Sequence, residues 1–369
     1  MVQKGAGAGH PARRGRGVAE DVRRRPVTRA LVIGANGYLG SHVTRQLVAA
    51  GRDVRVMVRD GAKTVGIDDL QVERFVGDIW SDDVLREAMT GCQDVYYCVV
   101  DTRGWLRDPA PLFRTNVEGT RNVLEIAAQV HDAHPLRRFV FTSSYVTVGR
   151  KRGRVATEDD VIGEAQRKRL TPYVRSRVQA EELVLDYARR RGLPAVAMCV
   201  STTYGAGDWG RTPHGAIIAG AAFGKLPFVM GGIELEAVGV EDAARAMILA
   251  AEKGRPGERY LISEKMISNA EVVRIAAEAA GTPPPTKSVP LALSYAMAAM
   301  GSTKARLRGT DERLSMGSLR LMRAEAHVDH GKAVRELGWQ PRPVEESIRE
   351  AARFWMELRK AKRKAGSAG

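Results

Sequence analysis

The sequence predicts an α/β protein: a doubly wound parallel sheet covered by helices on both faces, with a smaller C-terminal lobe. Three observations predict it. Short β-branched apolar runs alternate with longer helical stretches as far as about residue 200, the pattern of strands buried on both faces and joined by helical crossovers. A glycine-rich turn follows the first run and opens the first helix. After about residue 202 the alternation gives way to loops rich in Gly, Pro and Thr, one more strand and several helices.

In chain order, Ala30–Ile33 is the first strand, and the turn and a helix running to Ala50 follow it. Gly51 ends that helix, since glycine accepts the left-handed conformation found just past helix ends. Asp53–Val58, Val72–Val76, Asp94–Val100, Arg138–Thr142 and Ala195–Val200 continue the series, and Arg259–Ser263 reads as a late strand. Right-handed crossovers then fix a doubly wound sheet over residues 29–202, to which some later segments return. Residues 203–358 form mainly the second lobe, laid over the carboxyl ends of the strands.

Composition allows one large domain or two closely packed ones. The chain has 369 residues, 44% hydrophobic and 27% charged, the balance of an ordinary globular protein. The net charge of +15 invites a nucleic-acid reading, but its location argues against one. Residues 1–28 carry seven Lys or Arg against two acids, and residues 359–369 carry five against none. These ends are expected as a disordered basic leader and tail, with at most a weak contact to an anionic membrane surface and no specific nucleic acid. Cys92, Cys98 and Cys199 have no metal-ligand spacing and make no disulfide framework, which suits a reducing, cytoplasmic setting. Spanning a bilayer takes about 18 or more uninterrupted apolar residues, and no segment offers them. Val289–Met300 is the most apolar helical stretch; it is expected as a buried helix, the other reading being a membrane-surface or lipid-substrate contact.

The turn is GANGYLG, residues 34–40, between the strand and the helix opening at Tyr38. Gly34, Gly37 and Gly40 permit a tight turn, close approach of backbone to a diphosphate, and close packing of helix on strand. Backbone amides around Asn36, Gly37, Tyr38, Leu39 and Gly40 would then face the anion at the positive end of the helix dipole. This strand–turn–helix context is what gives three glycines meaning. The turn resembles that of the extended short-chain dehydrogenases/reductases, the NAD-dependent epimerase/dehydratase superfamily, and the likeness runs from about Arg29 to Leu358. The resemblance implies a Rossmann-type fold, an NAD(P) cofactor and an oxidoreductase step.

Arg59, followed by Asp60, stands where the second strand ends. An acid there bonds the ribose of NAD, whereas a guanidinium suits the 2′-phosphate of NADP, so NADP is favoured over NAD. Gly77-Asp78-Ile79 follows the third strand; by resemblance Asp78 and Ile79 lie at the adenine, and Asp78 could equally cap a helix. Val99 and Val100 stand where family members line the cofactor. Asn116, with Gly119 and Thr120, resembles the family's N-x-x-G-T helix. Tyr204-Gly205 resembles the segment that folds over the nicotinamide.

Ketone reduction by NAD(P)H requires a proton donor beside the carbonyl oxygen and a group that lowers its pKa. Tyr173 is the candidate donor. Arg177 lies one helical turn on, on the same face, and Ser144 ends a strand from which it could bond the same oxygen. In the resembled family this set is Ser or Thr followed by Tyr-x-x-x-Lys. Ser144 matches the serine, with Ser143 the alternative, and Tyr173 matches the tyrosine. Arg177 replaces the lysine, keeping the charge but not the compact ribose-bonding amine.

For the substrate, GAGDWGRTPHG (205–215) resembles the loop of dihydroflavonol-reductase-like and 3β-hydroxysteroid-dehydrogenase-like members, implying an apolar alcohol or ketone of steroid, flavonoid or terpenoid kind. Trp105, Trp209, His214 and Met230 could line a pocket but are expected as packing residues, and His214 has no partner acid at a diagnostic spacing. Gly239–Asp242 and ELGWQPRP (336–343) also match family habits and are expected to be structural. The alternatives are a nucleotide-sugar epimerase or dehydratase, and a catalytically weak NAD(P)-binding regulatory protein. The resemblance further implies a possible homodimer through the helices carrying Asn116 and Tyr173. No metal is expected.

Overall fold

The computed structural model describes residues 1, 28–149, 153–312, 316–322 and 327–366. The strands are β1 (Arg29–Ile33), β2 (Asp53–Val58), β3 (Glu73–Val76), β4 (Asp94–Tyr97), β5 (Arg138–Ser144), β6 (Ala195–Val200), β7 (Thr202–Tyr204), β8 (Val229–Met230), β9 (Glu234–Gly239), β10 (Arg259–Ile262), β11 (Lys265–Ser268) and β12 (Ser288–Val289). The α-helices are α1 (Tyr38–Ala49), α2 (Asp82–Met89), α3 (Ala110–Phe113), α4 (Thr120–Ala133), α5 (Glu164–Arg167), α6 (Pro172–Arg191), α7 (Pro213–Ala222), α8 (Val240–Lys253), α9 (Asn269–Ala279), α10 (Leu291–Arg308), α11 (Met316–Met322) and α12 (Val344–Gly366).

Seven strands form one sheet in the order β3-β2-β1-β4-β5-β6-β10, every neighbouring pair parallel. The chain reverses direction of growth between β1 and β4, and such a switch point at the carboxyl ends of the strands is where sheets of this kind bind ligands. Alternate residues feed the two faces. Val32 and Tyr96 pack with Leu47, Met247 and Trp339 on one side, and Leu31, Ile33 and Tyr97 pack with Leu85, Val123 and Ala180 on the other. The late strand β10, which the sequence reading grouped with the second lobe, returns to this sheet beside β6. The second lobe has its own core, in which Ile218, Leu235, Val272, Ile348 and Trp355 meet.

Several expectations need correcting. Strand β4 stops at Tyr97, so Val99 and Val100 lie in the loop beyond it. The lobe contains a three-stranded sheet, β11-β9-β7, and the pair β12–β8, which were not anticipated; all but the six-residue β9 are only two to four residues long, too short for periodicity to be read. The basic run 359–366 is not a loose tail but the end of α12. That helix buries Val344, Ile348, Ala352 and Trp355, and helix-favouring Lys, Arg and Ala carry it past its last packed turn, their charges suiting a helix C-terminus. The leader, apart from its two end residues, and residues 367–369 of the tail lie outside the described residues. The apolar stretch expected as a buried helix forms α10, of which only Ser294 and Ala298 are buried. Among the described residues no helix is long and apolar enough to cross a membrane.

Candidate active site

The turn after β1 is built as its glycines require. Gly34 has φ +83°, a conformation that side chains resist. A Cβ on Gly40 would lie 2.2 Å from the Gly34 carbonyl oxygen. Helix α1 begins at Tyr38 with Gly37 as an uncapping N-cap: no side chain satisfies its first amides, and no acid lies in its first turn. The first backbone bond is Ser41 N–H to Gly37 O at 2.9 Å, so the amides of Tyr38, Leu39 and Gly40 are left for an outside acceptor. This positive, side-chain-free helix end fits a dinucleotide diphosphate. The Tyr38 side chain turns away and donates to Gly205 O at 2.8 Å, tying α1 to the segment after β7; burial holds its phenol well above the usual range.

Ser144, Tyr173 and Arg177 come together at the carboxyl end of β5. Strand alternation separates the two candidate serines. Ser143 faces inward and donates to Glu181, whereas the Ser144 hydroxyl lies beside Tyr173. Helix α6 is fixed by Pro172 at its first position and by the Thr171 hydroxyl, which accepts from Val174 N, and this sets Tyr173 over the end of β5. Burial raises the phenol's pKa, and the Arg177 charge and the Ser144 hydroxyl pull it back. Arg177 is 0% exposed. Its Nη2 donates to Thr142 O, its guanidinium carbon lies 5.2 Å from the centre of the Phe141 ring, and its Nε and Nη1 are buried without a partner among the described residues.

A further set of polar groups lies behind this one, which the sequence reading missed. Glu181, one turn past Arg177 on α6, accepts from Ser143, from Thr147 Oγ1 at 2.7 Å and from Cys199 Sγ at 3.2 Å. It also forms a buried ion pair with Arg259 Nη1 at 2.8 Å. The i, i+4 spacing from Arg177 was the available signal. Burial pushes the Cys199 thiol well up, with the Glu181 charge adding to the effect, so this cysteine is no nucleophile.

The other predicted positions divide. Asn116 is buried in a π-helical stretch, Arg114–Gly119; it accepts from Asp101 N at 2.8 Å and donates to Asp101 O at 2.9 Å and Ser176 Oγ at 3.0 Å. It therefore locks the loop after β4 to α6 beside Tyr173. Arg59 is exposed at the end of β2 and without a side-chain partner among the described residues. Asp78 accepts from Trp80 N at 2.9 Å and Ser81 Oγ at 3.2 Å, shaping the turn into α2. Ile79 is buried against Gly119, where a Cβ would meet its Cδ1 at 2.2 Å. Val99 lies against Gly34, and Val100 is partly exposed. Asn36 donates to Lys63 O at 3.3 Å and Leu39 is partly buried against the core. Tyr204 is buried and meets His214 edge-on at 6.2 Å.

The four possible pocket residues behave mainly as packing. Burial drives His214 down to about 4, Trp209 stands edge-on to Phe354 at 4.8 Å, Met230 packs on the lobe core, and Trp105 is partly buried. Trp339 is fully buried and donates to Asp242 O at 2.8 Å, which explains the ELGWQPRP segment. No group of three metal-ligating side chains occurs among the described residues.

A doubly wound sheet, a phosphate-ready turn at its switch point and a hydroxyl pair over a buried cation define a dinucleotide-dependent α/β protein. The chain belongs to the NAD dependent epimerase/dehydratase family, whose profile matches residues 30–263. It is 28% identical over 330 residues to sterol demethylase protein B of Methylococcus capsulatus, spanning 89% of this chain and 98% of the relative. It is 27% identical over 329 residues to the 4-hydroxy-2-methyl-3-oxo-4-farnesyl-3,4-dihydroquinoline-1-oxide ketoreductase of Stigmatella aurantiaca, spanning 88% and 96%. Among solved structures, that of gox2253 matches with a TM-score of 0.77 at 30% identity, over 89% of this chain and 98% of that one. The protein is thus an NAD(P)-dependent oxidoreductase of the extended short-chain type.

Proposed function

We propose that the protein reduces a ketone, or oxidises the corresponding alcohol, on an apolar small molecule of steroid, flavonoid or terpenoid kind, with NADPH preferred. The observation that carries this reading is the Ser144–Tyr173 hydroxyl pair at the end of β5 with Arg177 buried one turn away. When bound, the cofactor supplies the hydride. Ser144 donates a hydrogen bond to the carbonyl oxygen, and Tyr173 gives that oxygen its proton. Arg177 steadies the phenolate left behind. Because Arg177 is wholly buried, it acts as a charge through Tyr173 rather than by touching ligand, which separates it from the ribose-bonding lysine of the family. Asn116 is a positioning residue that holds the Asp101 loop against α6.

The preference for NADPH rests on Arg59, exposed and unpaired among the described residues at the end of β2, where its fork suits a 2′-phosphate. The apolar substrate class draws on relatives named for a sterol and for a farnesyl-bearing ketone. A second reading, a catalytically weak cofactor-binding protein, is favoured by one observation: the Arg177 guanidinium points to Thr142 O and not into the crevice.

The test measures NADPH and NADH binding, then turnover against steroid, flavonoid and aliphatic ketones, for wild type, Tyr173→Phe and Arg177→Lys. Tyr173→Phe should lose about 10²–10⁴-fold in turnover and keep NADPH affinity. Wild-type turnover in Tyr173→Phe would remove the proton-donor assignment. No turnover with any ketone, alongside intact NADPH binding, would select the second reading.

A further inference from the structure

Helix α10 is built inside out. Its buried positions are the small residues Ser294 and Ala298, while Leu293 is 50% exposed, Met300 65% and Leu307 81%. Leu293, Met300 and Leu307 are seven residues apart, two turns each, and so form one stripe about 21 Å long. Ala296 lies on the same face and is exposed. Helices on a protein surface normally show the opposite arrangement, large apolar residues inward and polar ones outward. Other large exposed apolar side chains, such as Trp80 and Val161, lie in loops and do not repeat along a helix face.

The charge on α10 says what would cover the stripe. The helix contains Lys304, Arg306 and Arg308 and no acid. Lys304 pairs with Glu312 at 2.5 Å, whereas Arg306 and Arg308 are exposed and have no partner among the described residues. Lys304 and Arg308 follow Met300 at one-turn spacings and therefore share its face. A second copy laid on this face would meet the same cations with no acid to balance them. A lipid surface satisfies both features at once: the apolar stripe enters the boundary between headgroups and acyl chains, and long basic side chains reach back to the phosphates.

The helix also lies near the site. Just beyond it, Asp311 accepts from Arg107 N at 2.9 Å. Arg107 belongs to the loop after β4, which Asn116 holds through Asp101. We propose that α10 is an interfacial helix by which the protein rests on an anionic lipid surface, with Leu293, Met300 and Leu307 as its apolar contacts and Lys304 and Arg308 as its headgroup contacts. The inference stands on the helix alone and holds whichever reading of the active site is right.

The test is sedimentation of the full chain with vesicles of phosphatidylcholine alone and of phosphatidylcholine mixed with phosphatidylglycerol. Wild type should bind the mixed vesicles. The combined Leu293→Gln, Met300→Gln, Leu307→Gln variant should bind at least about tenfold more weakly, and Lys304→Gln, Arg308→Gln should lose most of the preference for the anionic mixture. All five positions are exposed or at the surface, and unchanged NADPH titration would show that the fold is kept. No binding by wild type overturns the proposal. So does wild-type binding by the triple variant, which would place the contact on the basic ends of the chain. A wild-type dimer in light scattering that the triple variant reduces to a monomer, without vesicle binding, would assign the stripe to a second copy instead and also overturn it.

Discussion

Gly40→Ala probes the close approach on which the proposed cofactor site rests. The added Cβ would sit 2.2 Å from Gly34 O, 3.0 Å from Gly34 C and 3.2 Å from Ala35 Cα, all backbone atoms that no rotamer change can move. A carbon and a carbonyl oxygen rest at about 3.3 Å or more, so α1 must back away from the turn by about 1 Å. Overpacking of this kind costs about 1–3 kcal/mol, partly offset by the helix preference of Ala over Gly. The same displacement moves the amides of Tyr38, Leu39 and Gly40 off a bound diphosphate. Losing one bond to a charged group, about 1.5–3 kcal/mol, weakens NADPH binding by roughly 10- to 150-fold, and losing a second weakens it further. Fluorescence titration of NADPH and a thermal melt read the two effects separately. Gly51→Ala is the control: its φ is +71° with open space around the missing Cβ, so it should lose about 1 kcal/mol of stability and no affinity. If Gly40→Ala binds NADPH like wild type, or no worse than Gly51→Ala, the helix end is not the phosphate site.

Other expectations follow from the same geometry. Arg59→Ala should weaken NADPH binding by about tenfold or more and leave NADH unchanged, checked by titrating both; equal effects on the two would refute the 2′-phosphate contact. Ser144→Ala should cut turnover about 10- to 100-fold, whereas Ser143→Ala, which removes a partner of Glu181, should lower the melting temperature and spare turnover. Glu181→Gln leaves the Arg259 guanidinium buried beside a neutral partner and should cost several kcal/mol in urea unfolding, toward the 3–5 typical of a broken buried pair; an unchanged midpoint would show the pair to be idle. His214 titrates at about 4 in the folded protein against its ordinary 6.5, so the unfolded chain binds the extra proton first: stability is full above about pH 6.5 and falls toward pH 4 by at most about 1.4 kcal/mol per pH unit. His214→Phe should flatten that acid limb of the melting curve, and a limb left as steep would place its origin elsewhere.

The parts of the molecule legible in the sequence are those where local and tertiary demands coincide. β1 and β6 are buried on both faces, so each carries a run of apolar residues. The turn at Gly34–Gly40 is written in glycines because a Cβ at the last of them would strike backbone. Ser144 and Tyr173 could be paired because one ends a strand and the other opens a helix. What could not be read was set by neighbours far along the chain. Val99 and Val100 look like strand but lie past the last ladder pair of β4. Residues 359–366 look like a solvated charge run, yet Trp355 and Ile348 anchor the helix that carries them. The apolarity of α10 suggested burial, but apolarity specifies a preference, and it is the placement of Ser294 and Ala298 toward the lobe that turns Leu293 and Met300 outward.

Arg177 shows the same division at the scale of one side chain. Its position on α6 follows from the spacing to Tyr173, but the direction of its guanidinium does not. A lysine there would bring one compact charge on a flexible stem. The guanidinium instead bonds Thr142 O and lies over Phe141, a planar group on an aromatic face, which an ammonium reproduces poorly. Glu181, one turn further along the helix, supplies a negative charge that favours the buried cation, and Arg259 in turn balances Glu181. The charge beside Tyr173 is therefore held by a chain of partners reaching through α6 to the edge strand β10. It follows that Arg177→Lys should disturb the site more than its conservative chemistry suggests: the ammonium loses the Phe141 face, and turnover should fall further when Glu181→Gln is added than the two single losses together predict. Simple additivity of the two, measured as a double-mutant cycle in turnover, would show that the chain carries no coupling to Tyr173.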